Sequence, residues 1–192
     1  MLFNNFGRYD SKIIIQALHK CKISQIKVLA KSSEDTLCIV LNNKVRILDS
    51  LAHLTHPLSK LSDAMDRNEF FVTSSVFAKY DKVLTILMKK QLMCYEYLSF
   101  ENIDLERLSR PSKEHFISSL NGNVVGDQEW EDANRIYRYF KCKNLRDYLR
   151  IYNILDCTLL CDIICKYRSD CLKNFKVDLL QFVSSPSLIC YD

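Results

Sequence analysis

Met1-Leu2-Phe3-Asn4-Asn5-Phe6-Gly7-Arg8-Tyr9-Asp10 is the stretch that decides the fold. Met1 to Phe3 reads as the tail of a strand. Asp10 then opens a helix to about His19, in which Ile13, Ile14, Ile15 and Leu18 give an apolar face. Working outward, residues 26–30 read as a strand. Residues 36–41 and 44–48 read as a hairpin around Asn42-Asn43, a dipeptide that tolerates the positive φ of a tight turn. Residues 58–65 form a short helix, and residues 66–76 lack periodicity and read as a loop. Helices are expected over residues 79–90, over 112–120 after Pro111, and over 127–140 after the Asn-Gly-Asn turn at 121–123. The longest helix runs from about Leu145 to Tyr167. It holds a second informative stretch, Tyr152-Asn153-Ile154-Leu155-Asp156, whose tyrosine and carboxylate stand one helical turn apart on one face. No internal repeat or low-complexity tract interrupts the chain.

Three ordered motifs narrow the reading. Asn5, Tyr9 and Asp10 match Asn-x(2-3)-Phe/Tyr-Asp, Ser50-Leu51 with Leu54 matches Ser/Thr-Leu-x2-hydrophobic, and Tyr152 with Asp156 matches Tyr-x3-Asp. Together they resemble the 3'-5' proofreading exonuclease domain of family B DNA polymerases, in the protein-primed branch of viruses, linear plasmids and Polinton-type mobile elements. Asp147-Tyr148-Leu149 and Pro186-Ser187-Leu188 extend the resemblance over almost the whole of residues 1–192, read as one partial exonuclease domain. Relatives often carry His where this chain has Asn4.

The resemblance implies an α/β, ribonuclease H-like (DnaQ-like) fold with an incomplete sheet and a long C-terminal helix. It implies two-metal hydrolysis at the 3' end of single-stranded DNA, with Mg²⁺ or Mn²⁺ held by Asp156 directly and by Asp10 through water. Tyr152 would orient the nucleophile, Asn5 would hydrogen-bond the strand and Tyr9 would stack on it. Ser50, Leu51 and Leu54 would contact single-stranded DNA and a priming terminal protein. Lys113, in Lys113-Glu114-His115-Phe116, has the form of the family's further lysine. Two expectations follow from these roles: Asp10 and Asp156 meet at shared ions, and Ser50, Asn5 and Tyr9 line one groove.

The family's Asp-x-Glu motif, which supplies two further metal ligands, would stand before Asn5, and the polymerase palm motifs would follow. Neither is present in this sequence, so the expected product is a fragment that works with the remainder of a polymerase and has little activity alone. Two carboxylates cannot hold two hard cations that dehydrate reluctantly. A second function class is a non-catalytic remnant of a mobile element that binds single-stranded DNA or protein.

Composition bounds the remaining classes. Residues of apolar type make up 48%, charged residues 26%, and Gly and Pro number three each, which describes a globular domain. No basic segment leads into an apolar one at Met1, and charges interrupt every apolar run, so neither secretion nor a membrane is expected. Nine cysteines, an odd number without framework spacing, read as reduced thiols in a nuclear or cytoplasmic setting. The net charge of +4 says little by itself. Its distribution says more: Arg135, Arg138, Lys141, Lys143, Arg146 and Arg150 interleave with Tyr137, Tyr139, Phe140 and Tyr148. That is the pattern of a phosphate-tracking surface with stacking rings, and equally of an amphipathic helix with solvated charges.

Other constellations have structural readings too. Cys157, Cys161 and Cys165, with His53 and His56, could supply zinc ligands. Cysteines four apart on a straight helix suit a buried stripe better than a tetrahedral cluster. No His is placed beside a cysteine to activate it as a nucleophile. Asp10 could serve as a helix N-cap, Ser50 as a turn residue ending a strand, Lys113 as a solvated side chain and Tyr152 as a core aromatic.

Overall fold

The computed structural model describes residues 1–21, 23–98, 110–116 and 125–189. It is a mixed α/β structure in two compact units, one of residues 1–57 with 164–192 and one of residues 58–163.

The first unit carries a four-stranded sheet of order β1-β4-β3-β2. Strand β2 (Ile26–Ala30) pairs antiparallel with β3 (Thr36–Leu41), and β3 pairs antiparallel with β4 (Val45–Asp49). The short β1 (Leu2–Phe3) lies parallel to β4. Asn42 and Asn43 take φ of 50° and 55°, the left-handed pair a tight hairpin turn needs, as their side chains led us to expect. One face of the sheet buries Phe6, Ile39 and Ile47 against Ile14, Ile15 and Leu18 of α1 (Asp10–Lys20). Ile13, expected on that apolar face, is 66% exposed, because it lies about 100° around the helix from Ile14.

The second unit is helical: α2 (Leu58–Asp63), α3 (Phe71–Val76), α4 (Leu84–Leu87), α5 (Asp127–Tyr139) and the first part of α6 (Leu145–Phe175). Its core gathers Phe77, Leu87, Ile136, Leu145, Tyr148 and Leu155. A further short helix, α7 (Ser185–Ile189), belongs to the first unit.

Four elements differ from expectation. Residues 66–76 are not a loop: a 3-10 turn at Arg67–Glu69 leads into α3. Six residues are too few to display a period, and the amides that open α3 are held from a distant element, by Asp162. The helix expected over 79–90 is a 3-10 segment, Ala78–Val83, broken at Tyr80 (φ −118°, ψ 38°) and followed by the four residues of α4. Lys90 therefore lies beyond the helix end. The long helix continues past Tyr167 to Phe175. The expected helix over 112–120 is a 3-10 turn at Lys113–Phe116, its remainder and the turn at 121–123 lying outside the described residues. Among the described residues no helix is long and apolar enough to cross a membrane.

Candidate functional site

The Tyr-x3-Asp motif sits in the second unit on the buried side of α6. Tyr148, Tyr152 and Asp156 recur at four-residue spacing, so all three point one way along the helix. Tyr148, 3% exposed, donates its hydroxyl hydrogen to the Leu92 carbonyl at 2.8 Å, tying α6 to the segment after α4. That segment is braced internally by the buried Gln91, whose Nε2 donates to the carbonyls of Ile86 (2.6 Å) and Lys89 (2.8 Å). The brace fixes Lys90. Its ammonium donates to both the Tyr152 hydroxyl and Asp156 Oδ2, and lies 4.3 Å from the centroid of the Tyr152 ring. The Tyr95 hydroxyl completes the chain 2.8 Å from that of Tyr152.

Burial, the hydrogen bond with Tyr95 and the charge of Asp156 all push the Tyr152 phenol well above its ordinary range. It stays protonated at neutral pH and can donate or relay a hydrogen bond but cannot act as a base. Asp156 Oδ1 is buried with no hydrogen-bond partner, leaving an unused acceptor beside the ammonium. Lys90 also lines a polar cleft of about 220 Å³, shared with Ser59, Asp63, Gln128 and Asp132.

Lys113 is not the lysine of this cluster. Its ammonium pairs with Asp127 at 2.5 Å, at the opening of α5, and holds that carboxyl below the usual range. Lys90, 66 residues before Asp156, is the one brought to it.

The other two motifs meet in the first unit, around Asp49, the carboxylate just before Ser50. Asp49, at the end of β4, is 7% exposed. Its Oδ1 accepts from the amides of Asn5 (2.8 Å) and Leu51 (2.9 Å), and its Oδ2 accepts from the amide of Gly7 (3.0 Å). Asn5 adopts the left-handed φ of 57° to present its amide. The Ser50 hydroxyl, almost fully buried, donates to Asn4 Oδ1 at 3.0 Å. Asn4 and Ser50 thus bind each other, and the Asn4-Asn5 turn is stitched to the Ser50-Leu51 turn. Tyr9 is 73% exposed and Leu51 40% exposed; Leu54 is half-buried. Tyr9, not Asp10, occupies the N-cap position of α1. Asp10 is the exposed first helical residue, its carboxylate beside the positive end of the helix. Asp10 belongs to the first unit and Asp156 to the second.

Among the described residues no group of three or more His, Cys, Asp or Glu converges as metal ligands do. In the second unit's cluster one carboxylate offers one unused oxygen with an ammonium at its other. A hard cation needs several clustered oxygens, so this cluster alone does not fit one. The zinc alternative finds no converged ligand set among the described residues either. Cys157, Cys161 and Cys165 are exposed instead of forming a buried stripe, because Tyr152, Leu155 and Leu159 fix the buried face of α6 and the cysteines fall about opposite. His53 is buried alone in the first unit, both ring nitrogens without partners. No protein-family model, no curated protein and no solved structure matches the chain.

Proposed function

We propose that the chain is an exonuclease-domain region of a protein-primed family B DNA polymerase, with a ribonuclease H-like sheet, and that by itself it holds a single-stranded 3' end without cutting it. The observation that carries this reading is the Lys90–Tyr152–Asp156 cluster: a buried tyrosine, a carboxylate with an unused oxygen and a cation, joined at hydrogen-bond range. An ammonium fixed over a phenol is a ready partner for a phosphodiester oxygen, and a phenol that keeps its proton can orient a water. Asn5 stands on a turn stitched to the Ser50-Leu51 turn, where Ser50 spends its hydroxyl on Asn4, and the exposed Tyr9 ring beside them is available for stacking.

Under this reading Mg²⁺ or Mn²⁺, held in the assembled domain by Asp156 together with ligands from outside this cluster, would supply Lewis-acid and nucleophile-generating chemistry. The single carboxylate of the cluster means that further ligands, including an Asp-x-Glu pair, must come from elsewhere. One observation favours the second reading, a non-catalytic binding remnant: the Lys90 ammonium already neutralises Asp156.

A 3'-labelled single strand, incubated with the chain and Mg²⁺ or Mn²⁺, should remain intact. Joining a strand that bears Asp-x-Glu ahead of Met1 should produce degradation from the 3' end, lost again on Asp156→Ala. Metal-dependent degradation by the 192-residue chain itself would overturn the account of the site. Failure of the joined protein to cut, with binding retained, would leave the binding remnant.

A further inference from the structure

We propose that the corner between α5 and α6 is a second contact surface for single-stranded nucleic acid, centred on Tyr139 and built without Asn5, Ser50 or Asp156. The corner is assembled from aromatic rings. Tyr80 packs its ring 4.5 Å from that of Phe140 and 6.1 Å from that of Tyr139, while Phe77 meets Phe140 edge-on at 5.9 Å. Phe77 is buried and Phe140 half-buried, but Tyr139 leaves 37% of its surface in solvent. A ring so held loses little freedom when a base stacks on it.

Cations flank the rings along the chain. Lys79 precedes Tyr80 and Lys82 follows two residues on; Arg135 stands one turn before Tyr139 on the same face of α5; Lys141 follows Phe140 directly. All four are exposed, and none has an ion pair among the described residues. Arg138 is instead engaged by Glu131 and the Asn134 carbonyl, and Asp81 is the one carboxylate in the Ala78–Val83 segment.

Lys141 closes α5 with φ of 52°, the left-handed conformation in which glycine is the default helix terminator, and so sets an exposed cation directly after Phe140. Phosphates of a single strand satisfy such cations, and its unstacked bases satisfy the exposed ring; a duplex offers the first without the second, and an acidic peptide has no base to stack.

This inference shares with the proposed function the premise that the chain binds single-stranded nucleic acid, but uses different residues. Binding of a fluorescent oligothymidylate, followed by anisotropy over a KCl series, tests it. Lys79→Ala, Arg135→Ala and Lys141→Gly should each reduce the slope of log K against log salt by about 0.7, the share of one phosphate contact on a single strand. Lys141→Gly relieves the left-handed residue, so lost binding cannot be ascribed to lost folding. Tyr139→Ala should lower affinity about tenfold with the slope unchanged, and Tyr139→Phe should restore it. Unchanged slopes in all three cation variants, together with lost binding on Asn5→Ala, would overturn this surface and leave the exonuclease reading standing. Reduced slopes with no effect of Asn5→Ala would support the surface and count against the exonuclease motifs. Equal competition by duplex DNA or by polyglutamate would overturn the choice of partner.

Discussion

Replacing Asp162 by alanine should cost the second unit about 3–4 kcal/mol, because three donors converge on this one carboxylate. Asp162 is 1% exposed on α6. Its Oδ1 accepts from the Val72 amide at 2.6 Å, and its Oδ2 accepts from the Thr73 amide at 2.9 Å and the Thr73 hydroxyl at 2.6 Å. The first turn of α3 has no side-chain cap of its own, since Phe70 occupies the N-cap position. Asp162 therefore caps α3 from 90 residues away. Each amide left without a partner in a buried site costs roughly 1–3 kcal/mol, and a little is returned because a buried charge is no longer desolvated. Against a total stability of about 5–15 kcal/mol that loss is large. The assay is urea denaturation followed by the fluorescence of Trp130, the single tryptophan, which packs on the second unit's core and reports that unit. With a urea m-value of about 1–3 kcal/mol/M the midpoint should fall by roughly 1–4 M. Asp162→Asn, which keeps one acceptor but turns an amide donor toward another donor, should fall between. Thr73→Val, which deletes the hydroxyl alone, should cost about 1–2 kcal/mol. A midpoint for Asp162→Ala equivalent to less than about 1 kcal/mol of destabilisation would refute the capping role.

Gly7→Ala should destabilise the first unit by about 1–3 kcal/mol through overpacking. An added Cβ would stand 2.6 Å from the Thr36 carbonyl oxygen, which is backbone and cannot swing away, and 2.6 Å from Asp35 Oδ1. Faster amide exchange in β3 and β4 would register the loss, and unchanged protection would count against it. His53 makes the first unit sensitive to acid. Burial lowers its imidazole pKa, outweighing the opposite pull of Asp49. In the unfolded chain the group titrates near 6.5, so below that pH the unfolded state takes a proton that the native state refuses. Stability is thus full above about pH 6.5, declines as pH falls toward the lower native value, and levels off beneath it. His53→Phe should flatten this part of a pH series of denaturation midpoints; an unaltered profile would place the acid sensitivity elsewhere.

The sheet was legible because its signals are local. Short apolar runs mark β3 and β4, and Asn42-Asn43 supplies the two left-handed residues that fix the hairpin register between them. The long helix was legible by its length, although its end at Phe175 was not, since nothing before Lys176, another left-handed residue with φ of 60°, breaks the pattern. Helix α3 was invisible because its stability is tertiary: a six-residue segment with no cap in its own sequence becomes helical only when Asp162 arrives from another element.

The candidate site divides along the same line. Tyr152 and Asp156 could be placed on one face from their spacing alone, since four residues on a helix make neighbours by geometry. Lys90 could not, because what positions it is the end of α4 and the brace of Gln91 onto two carbonyls, neither of which leaves a periodic trace. Lys113 had the better motif and the wrong surroundings: at the opening of α5 its nearest carboxylate is Asp127, and that proximity decides its partner. The role of Asp49 is equally tertiary: Ser50 and Leu51 read as ligand-contacting residues, whereas the carboxylate just before them, accepting from three backbone amides, holds both turns in place. Each of these turns holds its shape only if a neighbour satisfies its backbone amides. For the asparagine turn and the Ser50 turn alike, that neighbour is Asp49.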